Sequence, residues 1–356
     1  MYGSFGLRRR PFRPTPDTDA YYPAATHEAA LRRLRQALDD DEGLILLIGG
    51  PGTGKTLVAR LLLETLDENI RCVLLTNSHA ARKGDLLQAI LFDLGLPYQS
   101  LTEQAARLAV IDSCLEHFRG GGKTLIVVDE AHHLATDMLE ELRLLSNLEG
   151  KDGRAVQILL VGLPEIEQTL ENPALLALRQ RLTAKARLEP LNADESAEYL
   201  SHQVRAAGGE AGRLFGEDVL DILTHAANGV PRILNQVAHA AFSLAAEAET
   251  DQVDSEAAVE AVTRLGLDPA AGAEPLATDE EDPVRLVATR PVSLARPEAV
   301  ANPEPPSTIP FPPVILPIDD GPPTYVYGDE GADEPERIGP NRPGPILRAG
   351  PTDRVG

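Results

Sequence analysis

Residues Gly49 to Thr56 read Gly-Gly-Pro-Gly-Thr-Gly-Lys-Thr, a full match to the pattern G-x-x-x-x-G-K-[ST], directly behind the apolar run Leu44-Ile45-Leu46-Leu47-Ile48. This spacing constrains the fold more than any other feature of the chain. It asks for a buried strand, then a turn of converging backbone N–H groups, then a helix. The segment that follows, Leu57-Val58-Ala59-Arg60-Leu61-Leu62-Leu63-Glu64, has helix-forming composition. In such a loop Gly49, Gly50, Pro51, Gly52, Thr53 and Gly54 wrap nucleotide phosphates with backbone, and Leu57 carries the chain on into the helix. Lys55 reaches the β/γ oxygens, and the Thr56 hydroxyl ligates Mg²⁺.

Further strand-like runs occur at Ile70 to Leu75, Thr124 to Val128, Val156 to Val161 and Ala184 to Leu188, with helical patterns between them. That alternation predicts an α/β fold: a P-loop NTPase parallel sheet with helices on both faces, its ligand beyond the carboxyl ends of the strands. From Glu189 to Leu265 the strand signal stops. Apolar residues recur there at helical spacing, as in Val219-Leu220-Ile222-Leu223 and Ile233-Leu234-Val237, which predicts a small all-helical unit. Beyond Gly266 prolines and acidic clusters such as Asp279-Glu280-Glu281-Asp282 dominate, a composition that buries too little apolar surface to offset ordering. The expectation there is a disordered acidic tail. Its apolar island Ile309 to Ile318 reads either as an extended docking peptide or as plain linker.

The run Leu125-Ile126-Val127-Val128 ends in Asp129 and Glu130, the second half of a nucleotide site. Asp129 is expected to hold Mg²⁺ beside Thr56, and Glu130 to orient and polarise the water that attacks the γ-phosphate. His132 and His133 are adjacent on what reads as a helix start. They are expected to point apart as surface histidines rather than to share a metal.

The formal charge of −22 speaks against a broad nucleic-acid-binding face. Clusters Arg8-Arg9-Arg10 with Arg13, and Arg32-Arg33 with Arg35, read as solvated or ion-paired faces. The two cysteines, Cys72 and Cys114, sit among aliphatic residues and read as reduced core thiols. Residues 1–19 lack the apolar stretch of a secretory signal, and no run of about 18 apolar residues spans a membrane. The expected location is cytoplasmic, peripheral to the inner membrane through a partner, without direct membrane insertion.

Further motifs carry a family resemblance. They are Phe5-Gly6-Leu7, Pro11-Phe12, Thr15-Pro16-Asp17 and His27-Glu28-Ala29 near the N-terminus, then Glu140 to Glu149, Leu160-Val161-Gly162-Leu163-Pro164-Glu165, Leu178 to Leu182, and Gly229 to Asn235. Over residues 1 to about 265 the chain resembles AAA+ ATPases of the general secretion pathway protein A, or ExeA-type, group. The resemblance implies four regions: 1–30 an N-terminal segment packing on the ATPase core, 31–188 the AAA+ nucleotide-binding domain, 189–265 a helical lid, and 266–356 the tail. It also implies ATP and Mg²⁺ as cofactors, a homo-oligomer, and a partner of secretion or pilus type. Arg181 is then the finger offered to a neighbouring subunit, and Arg232 a sensor of the γ-phosphate. Asn77 is similar to a polar residue that restrains the catalytic glutamate. Leu163 departs from the family, which usually has glutamine there, so hydrolysis is expected to be slow or to lean on another group such as Thr76 or Asn77. Two other readings stay open: an ATP-dependent DNA-binding regulator resembling transposition ATPases, and a low-turnover ATP switch.

Overall fold

The apolar runs of the sequence become five parallel strands, each roughly the length its run of aliphatic residues allows. The computed structural model describes residues 5–76, 82–151 and 153–268. In chain order, α1 (Ala25–Asp39) leads to β1 (Leu44–Gly49), α2 (Lys55–Glu64) and β2 (Ile70–Leu75). Then come α3 (Lys83–Asp93), α4 (Glu103–Arg119), β3 (Lys123–Val128) and α5 (Thr136–Leu145). A two-residue pair, β4 (Glu149–Gly150) and β5 (Gly153–Arg154), precedes β6 (Val156–Gly162), α6 (Glu165–Leu170), α7 (Leu176–Arg181) and β7 (Leu182–Leu188).

The strand order is β2-β3-β6-β1-β7, and every pairing within this sheet is parallel. The central strands β1 and β6 are buried along their whole length, as a sheet covered on both faces requires. β7 is an edge strand and alternates instead. Its Lys185 and Arg187 point outward, both to Glu167, and charge on an edge discourages pairing with other chains. The weakest strand signal in the sequence was therefore weak for a physical reason: only one of its faces is buried.

Between β7 and residue 268 the described chain is mainly helical: α8 (Ala193–Ala206), α9 (Ala211–Leu214), α10 (Glu217–Ala227), α11 (Pro231–Glu247) and α12 (Ser255–Arg264). Asn192 caps α8 by accepting from the Glu195 N–H, while the Glu195 carboxylate accepts from the Asn192 N–H, a reciprocal box that sets the helix start. Asp254 caps α12.

In the N-terminal segment Phe5, Leu7 and Phe12 are buried in the core of the helical region. Phe242 of α11 is the hub, with ring centroids 5.0 Å from Phe5, 5.7 Å from Phe12 and 5.3 Å from Phe215. The reason is shape: the α11 groove accepts aromatic rings, whereas the sheet faces are already covered by helices. The backbone follows, with Arg8 N–H donating to Ala207 O and Arg9 Nε to Ala206 O. Contacts to the sheet side come at Thr18, whose hydroxyl donates to Glu64, and at His27.

Cys114 is buried and Cys72 half-buried, both free thiols. Among the described residues no helix is long and apolar enough to cross a membrane. Asn77, the acidic tail and its island at 309–318 lie outside the described residues.

Truncating Phe242 removes the ring on which three others meet. Phe242→Ala is expected to destabilise the protein by about 3–5 kcal/mol, the usual cost of deleting a buried aromatic side chain, read as a lower urea midpoint by circular dichroism.

Candidate nucleotide site

The order of the strands decides where chemistry gathers. β6 lies between β1 and β3, with Ile48 beside Gly162 and Val128 beside Leu160, so the ends of β1, β3 and β6 open onto one crevice. Gly49 closes β1 where no side chain fits. A Cβ there would come within 2.7 Å of Thr53 Oγ1 and 2.9 Å of Leu188 O. Gly52 and Gly54 take left-handed backbone angles, with φ of 78° and 99°, which turn the chain so that α2 begins at Lys55.

Lys55 lies inside this turn, 7% exposed, with Nζ donating to Gly49 O at 3.0 Å and Gly50 O at 2.9 Å. Burial pulls its ammonium below the ordinary lysine value, while the carboxylates of Glu130 and Asp129 push it back up. The Thr56 hydroxyl donates to Asp129 Oδ2 at 2.7 Å, and Asp129 Oδ1 accepts from the Glu130 N–H at 2.9 Å. Thr56 and Asp129 thus bring a hydroxyl and a carboxylate oxygen together, a hard-oxygen set suited to Mg²⁺. Glu130 has φ of 53°, an uncommon angle for a residue with a side chain, and its carboxylate stays half-exposed toward the crevice.

A cavity of about 730 Å³ runs from this loop toward the helical region. Its walls include Gly52, Lys55, Thr56 and Leu57 from the loop, Glu130, His132 and Leu163 from the strand ends, Tyr21 and His27 from the N-terminal segment, and Tyr199, Arg232 and Asn235 from the helices. Arg232, near the start of α11, donates its backbone N–H to Gly52 O at 3.3 Å. A Cβ on Gly52 would meet Arg232 Cβ at 2.8 Å, so the helical region sits directly on the loop. Arg181 is placed elsewhere: exposed at the end of α7, its side chain bonds Asn147 and does not line the cavity. Thr76 is exposed at the end of β2.

Two residues enter the site that sequence reasoning did not place there. His27 is 4% exposed, and its Nε2 contacts Thr53 O at 2.7 Å. It occupies the space beside Gly54, where a Cβ would lie 2.9 Å from Nε2. The only signal for it was its position in the N-terminal motif. His132 corrects the expectation of two diverging surface histidines. The chain turns as a tight 3₁₀ segment over Ala131–His133, which brings the two imidazole centroids to 4.1 Å, and the His132 side chain is 11% exposed. Burial, and then the neighbouring His133, lower its proton affinity. The arginine clusters, by contrast, behave as expected at Arg13, paired with Asp17 at 3.0 Å, and at Arg32, 3.9 Å from Glu28.

An AAA-domain family profile matches residues 37–170. General secretion pathway protein A of Aeromonas hydrophila is 35% identical over 65% of this chain, which spans 42% of that relative's length. The ATP-dependent target DNA activator B of Escherichia phage Mu is 26% identical over 64% of this chain and 68% of its own length. Among solved structures, Cdc6p of Pyrobaculum aerophilum superposes with a TM-score of 0.57 at 20% identity, covering 70% of this chain and 71% of its own, a likeness of fold.

His27 has a measurable signature. Burial lowers its proton affinity in the folded chain below the ordinary histidine value of 6.5, so the unfolded chain binds the proton first as pH falls. Its contribution is therefore intact above 6.5 and is lost as pH drops from 6.5 toward the lowered folded value. Replacing it with a neutral donor, His27→Gln, is expected to flatten the acid side of a stability-against-pH curve measured by urea unfolding between pH 7.5 and 5.

Proposed function

We propose that the chain is an AAA+ ATPase similar to general secretion pathway protein A and that it binds MgATP between the loop at Gly49–Thr56 and α11. We propose further that it hydrolyses the nucleotide as a homo-oligomer and uses the cycle to remodel or assemble a protein partner of secretion or pilus type. The observation that carries this reading is the 2.7 Å contact between Thr56 and Asp129 with Glu130 next in the chain, which joins the two halves of the sequence signature in one place.

The geometry supports a role for each residue. Backbone N–H groups of the loop and the N-terminal turn of α2 bind the phosphates, with Lys55 exchanging its bonds to Gly49 O and Gly50 O for phosphate oxygens. Thr56 and Asp129 would hold Mg²⁺, which when bound neutralises charge on the β- and γ-phosphates. Glu130 orients and polarises the attacking water. Arg232 reaches the γ-phosphate from α11, and because its backbone is bonded to Gly52, loss of that phosphate is felt by residues 189–265 acting as a lid. Arg181 faces away from its own cavity, which supports a role in completing the site of a neighbouring copy.

A second reading has its own support. The similarity to the target DNA activator of phage Mu favours an ATP-dependent grip on DNA, against the net charge of −22. Duplex DNA retained at about 50 mM salt only with ATP would establish it.

Three substitutions test the ATPase reading. Lys55→Ala is expected to abolish binding of a fluorescent ATP analogue as well as turnover; wild-type turnover in this variant would sink the mechanism. Glu130→Gln should keep nucleotide affinity while phosphate release falls roughly 10²- to 10⁴-fold, the range for loss of a general base. Arg181→Ala should lower turnover with affinity retained, and mixing it with Lys55→Ala subunits should restore part of the activity.

A further inference from the structure

Leu163 begins the turn after β6, on the crevice, where the family resemblance has a glutamine. Its side chain offers no polar atom, but its backbone N–H donates to His132 Nδ1 at 3.3 Å. The other nitrogen of that imidazole, Nε2, stands 3.5 Å from Glu130 Oε2. A neutral imidazole has one donor and one acceptor nitrogen. Because Nδ1 accepts, the hydrogen-bond network assigns the proton to Nε2, the nitrogen that faces the carboxylate.

The ring is held in place from several sides. A Cβ on Gly162 would lie 3.3 Å from His132 N and 3.5 Å from Nδ1, so a glycine there leaves room for this close approach. The His133 ring stacks at a 40° tilt on another side. One competing use of the same atoms is a metal site, since ligand atoms of Glu130, His132 and His133 lie within 4.8 Å of one another. Coordination through Nε2 would move the ring proton to Nδ1 and set it against the Leu163 N–H. The Leu163 bond therefore selects a hydrogen-bond donor over a metal ligand.

We propose that His132 is a positioning residue for hydrolysis: its Nε2–H holds the Glu130 carboxylate in the orientation from which Glu130 engages the attacking water, and the Leu163 backbone fixes the tautomer. This rests on the reading of Glu130 as the group that acts on water. The polar contact that Leu163 cannot make through its side chain is supplied from the end of β3 instead. At 3.5 Å the His132–Glu130 contact is long, and catalytic contacts of this kind tighten when substrate binds.

The chemistry names its own rescue variant. In His132→Gln the amide oxygen accepts from the Leu163 N–H and the amide nitrogen donates to Glu130, whereas His132→Phe keeps the ring volume and has neither atom. The experiment measures steady-state phosphate release, KM for ATP, and affinity for a fluorescent ATP analogue. It uses the full chain as wild type, His132→Phe, His132→Ala, His132→Gln and Glu130→Gln, with folding checked by circular dichroism. Expected is a fall in kcat of about 10- to 100-fold for His132→Phe and His132→Ala, the scale of a misplaced catalytic group. KM and nucleotide affinity should change little, and His132→Gln should recover most of the loss. Wild-type kcat in His132→Phe, or a His132→Gln as slow as His132→Ala, overturns the positioning role, while an inactive Glu130→Gln leaves the ATPase reading standing. Full turnover in Glu130→Gln removes both.

Discussion

Everything in the site depends on one topological constraint, the placement of β6 between β1 and β3. β1 and β2 follow each other in the chain but are not neighbours in the sheet, and the loops leaving β1 and β3 fall to either side of the β6 end. Residues 73 positions apart, Thr56 in the first turn of α2 and Asp129 just past β3, then share a hydrogen bond. Helices cover both faces of these strands and leave the aliphatic runs no alternative register, since a slip of one residue would exchange the two apolar faces and break the junction. The position of two polar side chains is in this sense a product of burial.

A second constraint ties the helical region to the same loop. Gly52 is left-handed and has no side chain, and Arg232 occupies the space a Cβ would need. α11 therefore carries two loads. Its Phe242 anchors the aromatic residues of the N-terminal segment, and its first turn lies on the phosphate loop. The N-terminal segment crosses the other wall of the cavity, with Gln203 of α8 donating to Ala20 O and Asn235 of α11 to Arg13 O. The phosphate loop therefore lies against an aromatic-filled helical unit rather than a free loop.

How much of this was legible in the sequence follows from the range of each interaction. The loop, its strand and its helix are one contiguous pattern, and β2, β3 and β6 are mostly aliphatic, so local chemistry sufficed for these elements. Asp129 and Glu130 were legible because a strand that ends in acid is also local. The anchoring of Phe5 and Phe12 was not, because nothing in a scattered pair of aromatics says whether a sheet or a helix supplies the groove. His27 and Thr53 meet across 26 residues, and His132 and Leu163 across 31, by contacts that only strand order creates. The diverging histidines failed for a more specific reason: an α-helical start was assumed where the backbone makes a 3₁₀ turn after a left-handed Glu130.

Leu163 lacks a side-chain donor but keeps a backbone one that faces His132. Read as a sequence, it removes a donor from the crevice and predicts slow chemistry. In the fold the position keeps its backbone N–H, and that group is more reliable than a side chain because the strand end already fixes its direction. By donating to Nδ1 it determines which nitrogen of His132 carries the proton, and so converts an ambiguous imidazole into a donor aimed at Glu130. A glutamine at Leu163 would have had to order its own flexible chain to do the same. Here the ordering is done by the turn after β3 and by Gly162, whose lack of a side chain lets the ring approach. The chemistry open to this crevice is therefore set by where backbone and imidazole meet, a property of the sheet order rather than of any one position.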